Sequence, residues 1–252
     1  MMIKGGIRIG GLGISGYDAD AVAYFERAGV TDATAKGQIN AFVKGVKDLG
    51  LYNNMVSWPL RSAQNAGTGL TAYSLGGLGI YNGTFTNGPT WGVDGVNFNI
   101  ANAYILVALT LAQPLTIIGS VNFKTLTNGG ALIDGQSRIT IFNGGTSAQT
   151  EMFAGAGIAT GAGKTFSTGW NFLGGYASGA SSVIYLNQHS TTGNAGTNSI
   201  GSTNIIIGNN NPLSFGDKNL DISFCSIFTG NQDFQSLRTL YKNTIGTGLG
   251  LP

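Results

Sequence analysis

Short apolar segments alternate with clusters of Gly, Asn, Ser and Thr from about Leu115 to Tyr241. Segments of this length, separated by turn residues, are typical of the strands of a β-sandwich or barrel and not of a helical or βαβ protein. The stretch closes with an apolar run over 219–228 and a short amphipathic helix over 232–242. The pattern predicts an all-β chain with two packed antiparallel sheets and a C-terminal helix.

Strand positions follow from the apolar runs, and the Asn-Gly-Gly sequences that begin at Asn128 and Asn143 are predicted turns. The segment 51–92 is less regular, and we expect hairpin strands around 81–85 and 87–91, followed by a strand over 93–98. The later strands are predicted at 104–109, 115–123, 131–142, 149–154, 166–174, 181–187, 203–208 and 219–228.

Two helices are predicted within residues 17–50. Asp18 is the expected N-cap of the first helix and Gly29 its C-terminal stop. The second begins near Asp32 and ends at Gly50, and its apolar residues recur at helical spacing on one stripe: Ile39, Phe42, Val43, Val46 and Leu49. Helices this short are unstable alone, so we expect them to dock on the sandwich or on another chain.

Residues 1–16 alternate glycine with aliphatic side chains, which gives them too little side chain to pack on their own. They are expected to form either an extended arm on a neighbouring surface or an unordered terminus. The predicted organisation is therefore an arm over 1–16, a helical lead-in over 17–50 and a sandwich over 51–252.

The composition excludes several classes of protein. Only 10% of the residues are charged and the net charge is +2 without a basic cluster, so no nucleic-acid partner is expected. No run of about 18 apolar residues occurs, which predicts no membrane span. We expect no signal peptide, a cytoplasmic origin, and a buried thiol at Cys225, the only cysteine. A polar but uncharged surface suits proteins packed against other subunits and sugar-binding modules.

No catalytic constellation is found in the sequence, and no enzyme is expected. Glu26 and Glu151 are the only glutamates, so the paired carboxylates of a glycosidase are missing. His189 is the sole histidine, and the chain lacks the G-x-S-x-G motif that would present a serine nucleophile to it. Gly11–Gly16 has dinucleotide-loop spacing but lacks the strand that should follow its helix. Residues 157–165 end in Gly-Lys-Thr but have Ile158 where a phosphate-binding loop needs its first glycine. This segment is predicted to be a hairpin loop.

Several segments resemble, in order, those of laminin-G-like, concanavalin A-like jelly rolls. Gly92-Val-Asp-Gly-Val-Asn-Phe98 resembles the opening strand, and Pro114-Leu-Thr-Ile-Ile-Gly-Ser-Val-Asn-Phe123 the strand that follows. Ser182–Asn187 and Thr203–Gly208 are similar to two later strands of that family. Residues 219–242 resemble its closing strand and helix. The resemblance implies a jelly-roll sandwich over these residues.

The front of the chain is similar to the helical lead-in found on tailed-bacteriophage virion proteins with such sandwiches. The matching segments begin at Tyr24-Phe-Glu-Arg-Ala-Gly-Val, at Leu60-Arg-Ser-Ala-Gln-Asn and at Thr244-Ile-Gly-Thr-Gly. The resemblance implies a structural protein of the virion, in capsid decoration or in a tail or fibre, made in the host cytoplasm. Its partners would be other virion proteins and copies of itself.

Assembly is expected to use the front segment. The predicted assembly residues are Ile7, Ile9, Leu12 and Ile14 in the arm and Phe42, Val46 and Leu49 on the second helix. Burial of apolar surface and addition of the arm to a neighbouring sheet would supply the contact.

The alternative function is carbohydrate binding by a module that recognises a host or environmental glycan through the loops of the sandwich. Aromatic residues that could form a stacking platform are Trp58, Trp91, Trp170, Tyr176 and Tyr185, although aromatic rings also fill sandwich cores. Of these, Trp91, Trp170 and Tyr176 are the predicted glycan contacts. Many modules of the family hold calcium, which takes about 6–8 oxygen ligands. The candidates Asp94, Asp134, Asp217 and Asp221 are isolated in sequence, and Ile222 stands where the family has Glu, so no cofactor is expected unless calcium binds.

Overall fold

The computed structural model describes residues 16–100, 102–125, 131–135, 140–143, 149–159, 165, 167–200, 203–209 and 219–252. For residues 140–143 and 159 it describes the backbone. The arm residues Ile7, Ile9, Leu12 and Ile14 and the calcium candidate Asp217 lie outside the described residues.

Three helices form where the sequence places capping residues. Helix α1 spans Ala19–Ala28, α2 spans Ala33–Asp48 and α3 spans Phe234–Asn243. The side chain of Asp18 accepts a hydrogen bond from the backbone N–H of Asp20, and Gly29 ends α1 in the left-handed conformation. Asp32 caps α2 in the same way through the N–H of Ala35. Side-chain acceptors satisfy amides that a helix leaves unpaired at its start, so these positions fix the helix boundaries.

The described residues form sixteen strands, which all pair antiparallel in two sheets. They are β1 (Met55–Pro59), β2 (Thr71–Ala72), β3 (Gly83–Thr86), β4 (Thr90–Trp91), β5 (Val96–Asn97), β6 (Tyr104–Val107), β7 (Leu115–Phe123), β8 (Ala131–Gly135), β9 (Thr140–Asn143), β10 (Thr150–Phe153), β11 (Gly157–Ala159), β12 (Gly169–Ala177), β13 (Ser182–Leu186), β14 (His189–Gly193), β15 (Ile205–Ile207) and β16 (Leu220–Thr229).

Sheet A has the strand order β14-β13-β12-β7-β16-β5-β4, and β1 also pairs with β16. Sheet B has the order β11-β10-β9-β8-β15-β6-β3-β2. Neighbouring strands in both sheets are often far apart in sequence, as in the pairing of β1 with β16. The chain is thus an antiparallel β-sandwich, as the sequence predicted, with two N-terminal helices and one C-terminal helix.

Two cores are buried, one on each face of sheet A. The inter-sheet core lies between sheets A and B and includes Ile117, Leu173 and Ile227. The helix-covered core lies between the other face of sheet A and the three helices, where Phe172 and Phe224 join residues of α1, α2 and α3. The helical lead-in therefore docks on the chain's own sandwich. None of the described helices combines the length and apolar character that crossing a lipid bilayer requires.

Three local predictions are corrected by the structure. The single strand predicted over 131–142 is a pair of strands, β8 and β9, which hydrogen-bond to each other. The segments 81–85 and 87–91 do not form a hairpin, because β3 belongs to sheet B and β4 to sheet A. The predicted hairpin loop over 157–165 begins with strand β11, which pairs with β10. In each case a distant or unforeseen pairing partner decides the structure.

Close packing of α3 on sheet A requires a glycine at position 174. A Cβ at Gly174 would overlap the carbonyl oxygen of Ile117 in the adjacent strand and would lie 3.0 Å from the ring of Phe234. The backbone oxygen cannot move without disturbing the pairing of β7 with β12. This position therefore sets how near α3 lies to the sheet.

We expect Gly174→Ala to lower the free energy of unfolding by about 1–3 kcal/mol, because overpacking forces the backbone or the Phe234 ring to move. The matched control is Gly37→Ala in α2, where a Cβ meets nothing within 4 Å. Gly37→Ala should raise stability by about 0.5–1 kcal/mol, since alanine favours the helix. Urea denaturation measures both changes, and a Gly174→Ala variant as stable as the parent protein would refute this account.

Candidate functional site

One corner of sheet A carries two tyrosines on the face that the helices only partly cover. Side chains alternate along β12, so Phe172 enters the helix-covered core and Leu173 the inter-sheet core. Tyr176, four residues after Phe172, lies on the helix side of the sheet. Tyr185 in β13 is paired with Gly174 and lies on that side too, because its ring stacks on Phe234 with centroids 4.2 Å apart. The two tyrosines are diagonal neighbours on adjacent strands.

A cleft of about 350 Å³ opens beside the Tyr185 ring at the start of α3. We call it the Tyr185 cleft, and it is lined by Tyr185, Asn231, Gln232, Asp233, Phe234 and Gln235. Both tyrosines are half-buried, while Asn231, Asp233 and Gln235 are exposed. The lining is therefore aromatic on the sheet side and polar on the helix side.

Hydrogen bonds hold the polar side of the cleft in place. The carboxylate of Asp233 caps α3 by accepting from the backbone N–H groups of Gln235, at 2.9 Å, and Ser236, at 3.3 Å. The Gln235 amide donates to the carbonyl oxygen of Asn187 at 3.1 Å, and the Gln232 N–H donates to Thr116 Oγ1 at 3.0 Å. Among the described residues no hydrogen bond engages the Asn231 side chain. Its amide is available to a ligand.

The electrostatics of the cleft fix the protonation states of its two titratable groups at neutral pH. Hydrogen bonds from Ser236, first from its hydroxyl and then from its backbone N–H, hold the pKa of Asp233 below its ordinary value of 3.8. Burial, together with the negative charge of Asp233, raises the pKa of Tyr185. A carboxylate that caps a helix and a neutral phenol suit hydrogen bonding and ring stacking, and neither is poised to transfer a proton near pH 7.

The three residues predicted to contact glycan do not come together. Tyr176 is the diagonal neighbour of Tyr185 on the adjacent strand and does not itself line the Tyr185 cleft. Trp170 is on the same face of β12 but six residues away, about 20 Å along the strand, and packs against the helix-covered core. Trp91 lies in β4 at the opposite edge of sheet A, where it stacks on Phe85 at 4.8 Å and donates to the Gly69 carbonyl oxygen. The structure therefore does not place these three rings on one surface.

The described calcium candidates are also dispersed. Asp221 accepts from Asn97 at 2.6 Å and from Asn122 at 3.1 Å, and it pairs with Lys124 at 2.8 Å, so amides and a cation occupy its oxygens. Asp94 is exposed beside Arg61, and Asp134 is buried in β8. Within the described part of the chain, no three His, Cys, Asp or Glu side chains are grouped around a common metal position.

The predicted assembly residues of α2 differ in their exposure. Phe42 and Val46 are fully buried against the chain's own helix-covered core, which leaves neither of them for contact with a partner. Leu49 remains 45% exposed at the end of α2. It lines a second concavity, a groove of about 550 Å³ between α2 and α3. We call this the α2–α3 groove.

Comparison of the chain with models of protein families and with curated protein sequences found no match. Among solved structures, the chain is similar to the sialidase of Trypanosoma rangeli, with a TM-score of 0.54 and 13% identity over 83% of this chain and 39% of the sialidase. It is also similar to the binding domain of botulinum neurotoxin serotype D, with a TM-score of 0.54 and 8% identity over 77% of this chain and 53% of that one. At these identities the likeness shows the fold alone.

Titration of Asp233 should be visible in the pH dependence of stability. The pKa of Asp233 is lower in the folded protein than its ordinary value of 3.8. Its carboxylate therefore stabilises the fold fully above pH 3.8, and this contribution is lost as the pH falls through the pKa of the folded protein. Asp233→Asn keeps a capping oxygen but does not titrate. We expect the parent protein to be the more stable of the two near pH 6 by a few tenths of a kcal/mol, about 0.3–0.5, because solvent screens the exposed carboxylate. The difference should disappear as the pH falls below 3.8 and through the folded pKa.

Thermal unfolding across that pH range measures the effect. Ser236→Ala removes the strongest donor to Asp233 and should shift the loss of stability to higher pH. A pH-independent difference between the parent protein and Asp233→Asn would show that the Asp233 charge does not stabilise α3.

Arg238 lies one turn after Gln235 on α3 and has an unusual environment. Arg238 is only 7% exposed. Its Nε and Nη2 atoms are buried, and neither has a hydrogen-bond partner among the described residues. This loss of hydration lowers the pKa of Arg238. A buried donor that lost its water without gaining a partner destabilises a fold by about 1–3 kcal/mol.

We therefore expect Arg238→Met, which keeps the aliphatic stem, to raise the free energy of unfolding by about 1–2 kcal/mol. Arg61→Met is the contrasting variant, because Arg61 donates to the carbonyl oxygens of Ile245 and Thr247 and pairs with Asp94. It should lower stability. Guanidinium denaturation distinguishes the two directions, and a loss of stability in Arg238→Met would show that the guanidinium is favourably placed.

Proposed function

We propose that this sandwich is a non-enzymatic module that binds a carbohydrate at the Tyr185 cleft. The observation that carries the proposal is the half-buried Tyr185 ring, held in place by stacking on Phe234 beside the uncharged amides of Asn231, Gln232 and Gln235. A ligand there would meet an apolar ring and several hydrogen-bonding groups in one concave surface.

Sugars match this combination of groups. A pyranose ring has an apolar face of C–H groups that packs on an aromatic ring, and a rim of hydroxyls that both donate and accept hydrogen bonds. The amide of Asn231 supplies a donor and an acceptor, and Tyr176 extends the aromatic surface diagonally from Tyr185. The negative charge of Asp233 would repel a negatively charged sugar, so we propose an uncharged oligosaccharide as the ligand.

The sandwich architecture is compatible with this proposal. The T. rangeli sialidase, which shares the fold, has also been solved in complex with sialic acid. That complex is a property of the sialidase, and the proposal for this chain depends on its own Tyr185 cleft.

We propose the phage virion as the setting of this module, with other virion proteins and copies of itself as partners. The resemblance of the front segment to virion lead-ins supports this setting, as does a surface with few charges. Attachment would use residues 1–16, because the α2 side chains Phe42 and Val46 are buried within the domain. Neither role requires calcium or another cofactor.

Carbohydrate binding is tested first with an array of neutral and acidic oligosaccharides and then by calorimetry with the best ligand. We expect Tyr185→Leu, which keeps apolar contact with Phe234 but removes the flat ring, to weaken binding at least about tenfold, or about 1.4 kcal/mol. Asn231→Ala should weaken it by a smaller factor, since one hydrogen-bonding side chain is lost.

The control is Tyr104→Leu, which replaces another half-buried strand tyrosine, in β6 of sheet B. It should leave the affinity unchanged. The proposal is excluded if no oligosaccharide binds with or without calcium. A ligand whose affinity is insensitive to Tyr185→Leu would place the site elsewhere on the sandwich.

A further inference from the structure

Part of the helix-side face of sheet A is accessible to solvent next to the Tyr185 cleft. Tyr176 of β12 lies opposite Val183 of β13, and Val183 lies opposite Thr192 of β14. Residues directly opposite each other on antiparallel strands share a face of the sheet, which places all three on the same side as Tyr185. Tyr176, Val183 and Tyr185 are half-buried, and Thr192 is exposed. We call these four residues the β13 face.

The β13 face is continuous with the Tyr185 cleft. Thr116 of β7 is the neighbour of Tyr176 on its other side, in the pairing of β7 with β12. Its Oγ1 atom donates to the carbonyl oxygen of Gly230 at 2.8 Å and accepts from the N–H of Gln232 at 3.0 Å. Gln232 lines the cleft, so the turn before α3 lies beside Tyr176. A ligand that extends out of the cleft on this side passes over the Tyr176 ring.

The strands that form this face carry no ionised side chain at neutral pH. Between Lys164 and Asp217 the sequence contains no aspartate, glutamate, lysine or arginine. Natural proteins often protect accessible strands with charged side chains, especially lysine. The β13 face instead presents two phenol rings, the branched aliphatic side chain of Val183 and the hydroxyl of Thr192. Such a surface suits an uncharged ligand with apolar ring faces and many hydroxyl groups.

The accessible surface is larger than one sugar ring. Tyr176 and Tyr185 are diagonal neighbours, and such neighbours on adjacent strands lie about 7–8 Å apart. The row from Tyr176 through Val183 to Thr192 crosses three strands and is roughly 10 Å wide, because adjacent strands are about 4.8 Å apart. A pyranose ring is comparable in size to a tyrosine ring. Each of the two tyrosines would therefore contact a different sugar unit.

We propose that the Tyr185 cleft and the β13 face together bind a linear, uncharged polysaccharide along consecutive units, with one unit on Tyr185, another on Tyr176 and Val183 packed beside the chain. This inference rests on the proposed carbohydrate function and names the class of ligand for that site. A single sugar fills the cleft but does not also reach Tyr176, whereas consecutive units of a chain remove both rings from water.

The dependence of affinity on chain length tests this inference with the full chain. The probes are linear neutral oligosaccharides of one to six sugar units, in a glucan, a mannan and a galactan series. NMR titration measures their binding, since it also detects the millimolar affinities typical of single sugars. We expect the Kd to fall about tenfold between one unit and three, because the second ring is then covered, and to change little with further units.

Two variants of the β13 face locate the effect. Tyr176→Leu keeps an apolar side chain but removes the second ring, so it should weaken hexasaccharide binding about tenfold and leave monosaccharide binding unchanged. Val183→Lys places a long side chain beside both rings, at a half-buried position where the ammonium group can stay in water, and should act in the same way. Tyr185→Leu should weaken both ligands. Tyr104→Leu in sheet B is the control and should bind both as the parent protein does.

The outcomes separate this inference from the carbohydrate proposal. Equal affinity for one unit and for six, with binding still weakened by Tyr185→Leu, overturns the extended-chain inference and leaves the cleft as a site for a single sugar. Hexasaccharide binding that neither Tyr176→Leu nor Val183→Lys changes overturns it as well, because the chain then leaves the cleft in another direction. Absence of binding at every length in all three series overturns both proposals.

Discussion

The structure depends on a single constraint, which is that sheet A is apolar on both of its faces. Strand β16 shows this directly, since Cys225 and Ile227 enter the inter-sheet core while Phe224 and Phe228 point to the helices. A sheet buried on both faces must be covered on both. The Phe224 ring contacts Phe42 of α2 at 5.5 Å and Tyr241 of α3 at 4.8 Å. Each buried phenylalanine contributes about 1.5–3 kcal/mol relative to exposure, so the three helices belong to the core of the domain.

This constraint decides which residues of the front segment are left for function. The apolar stripe of α2 is satisfied within the chain, and an assembly role for Phe42 and Val46 would require the helix to detach from the sheet. Lys47 further anchors α1 to α2 by pairing with Asp18 and Asp20. Among the described residues of the front segment, Leu49 at the end of α2 remains 45% exposed. The proposal for attachment therefore uses residues 1–16 and not the apolar stripe of α2.

The elements defined by local chemistry were predictable from the sequence, and those defined by distant partners were not. The Asp18 and Gly29 caps gave the bounds of α1, and the apolar run over 115–123 matched β7, because both signals lie within a few residues. The separation of β3 and β4 into different sheets depends on β6 and β5, which no local pattern reveals. Tyr185 was among the candidate stacking residues, but the cleft beside it could not be predicted for the same reason: alternation gives the face of a strand tyrosine, and only the position of α3 shows what lies beside it.

Helix α3 lines two concave surfaces, the Tyr185 cleft and the α2–α3 groove. Gln235 lines both the Tyr185 cleft and the α2–α3 groove, and its side-chain amide bonds to Asn187 at the end of β13. One side of the helix is packed through Leu240 on Gly45, and its first residue, Phe234, is packed on Tyr185 and above Gly174. Close-packed contacts of this kind do not deform continuously. The packing that positions α3 therefore sets the shape of both the cleft and the groove.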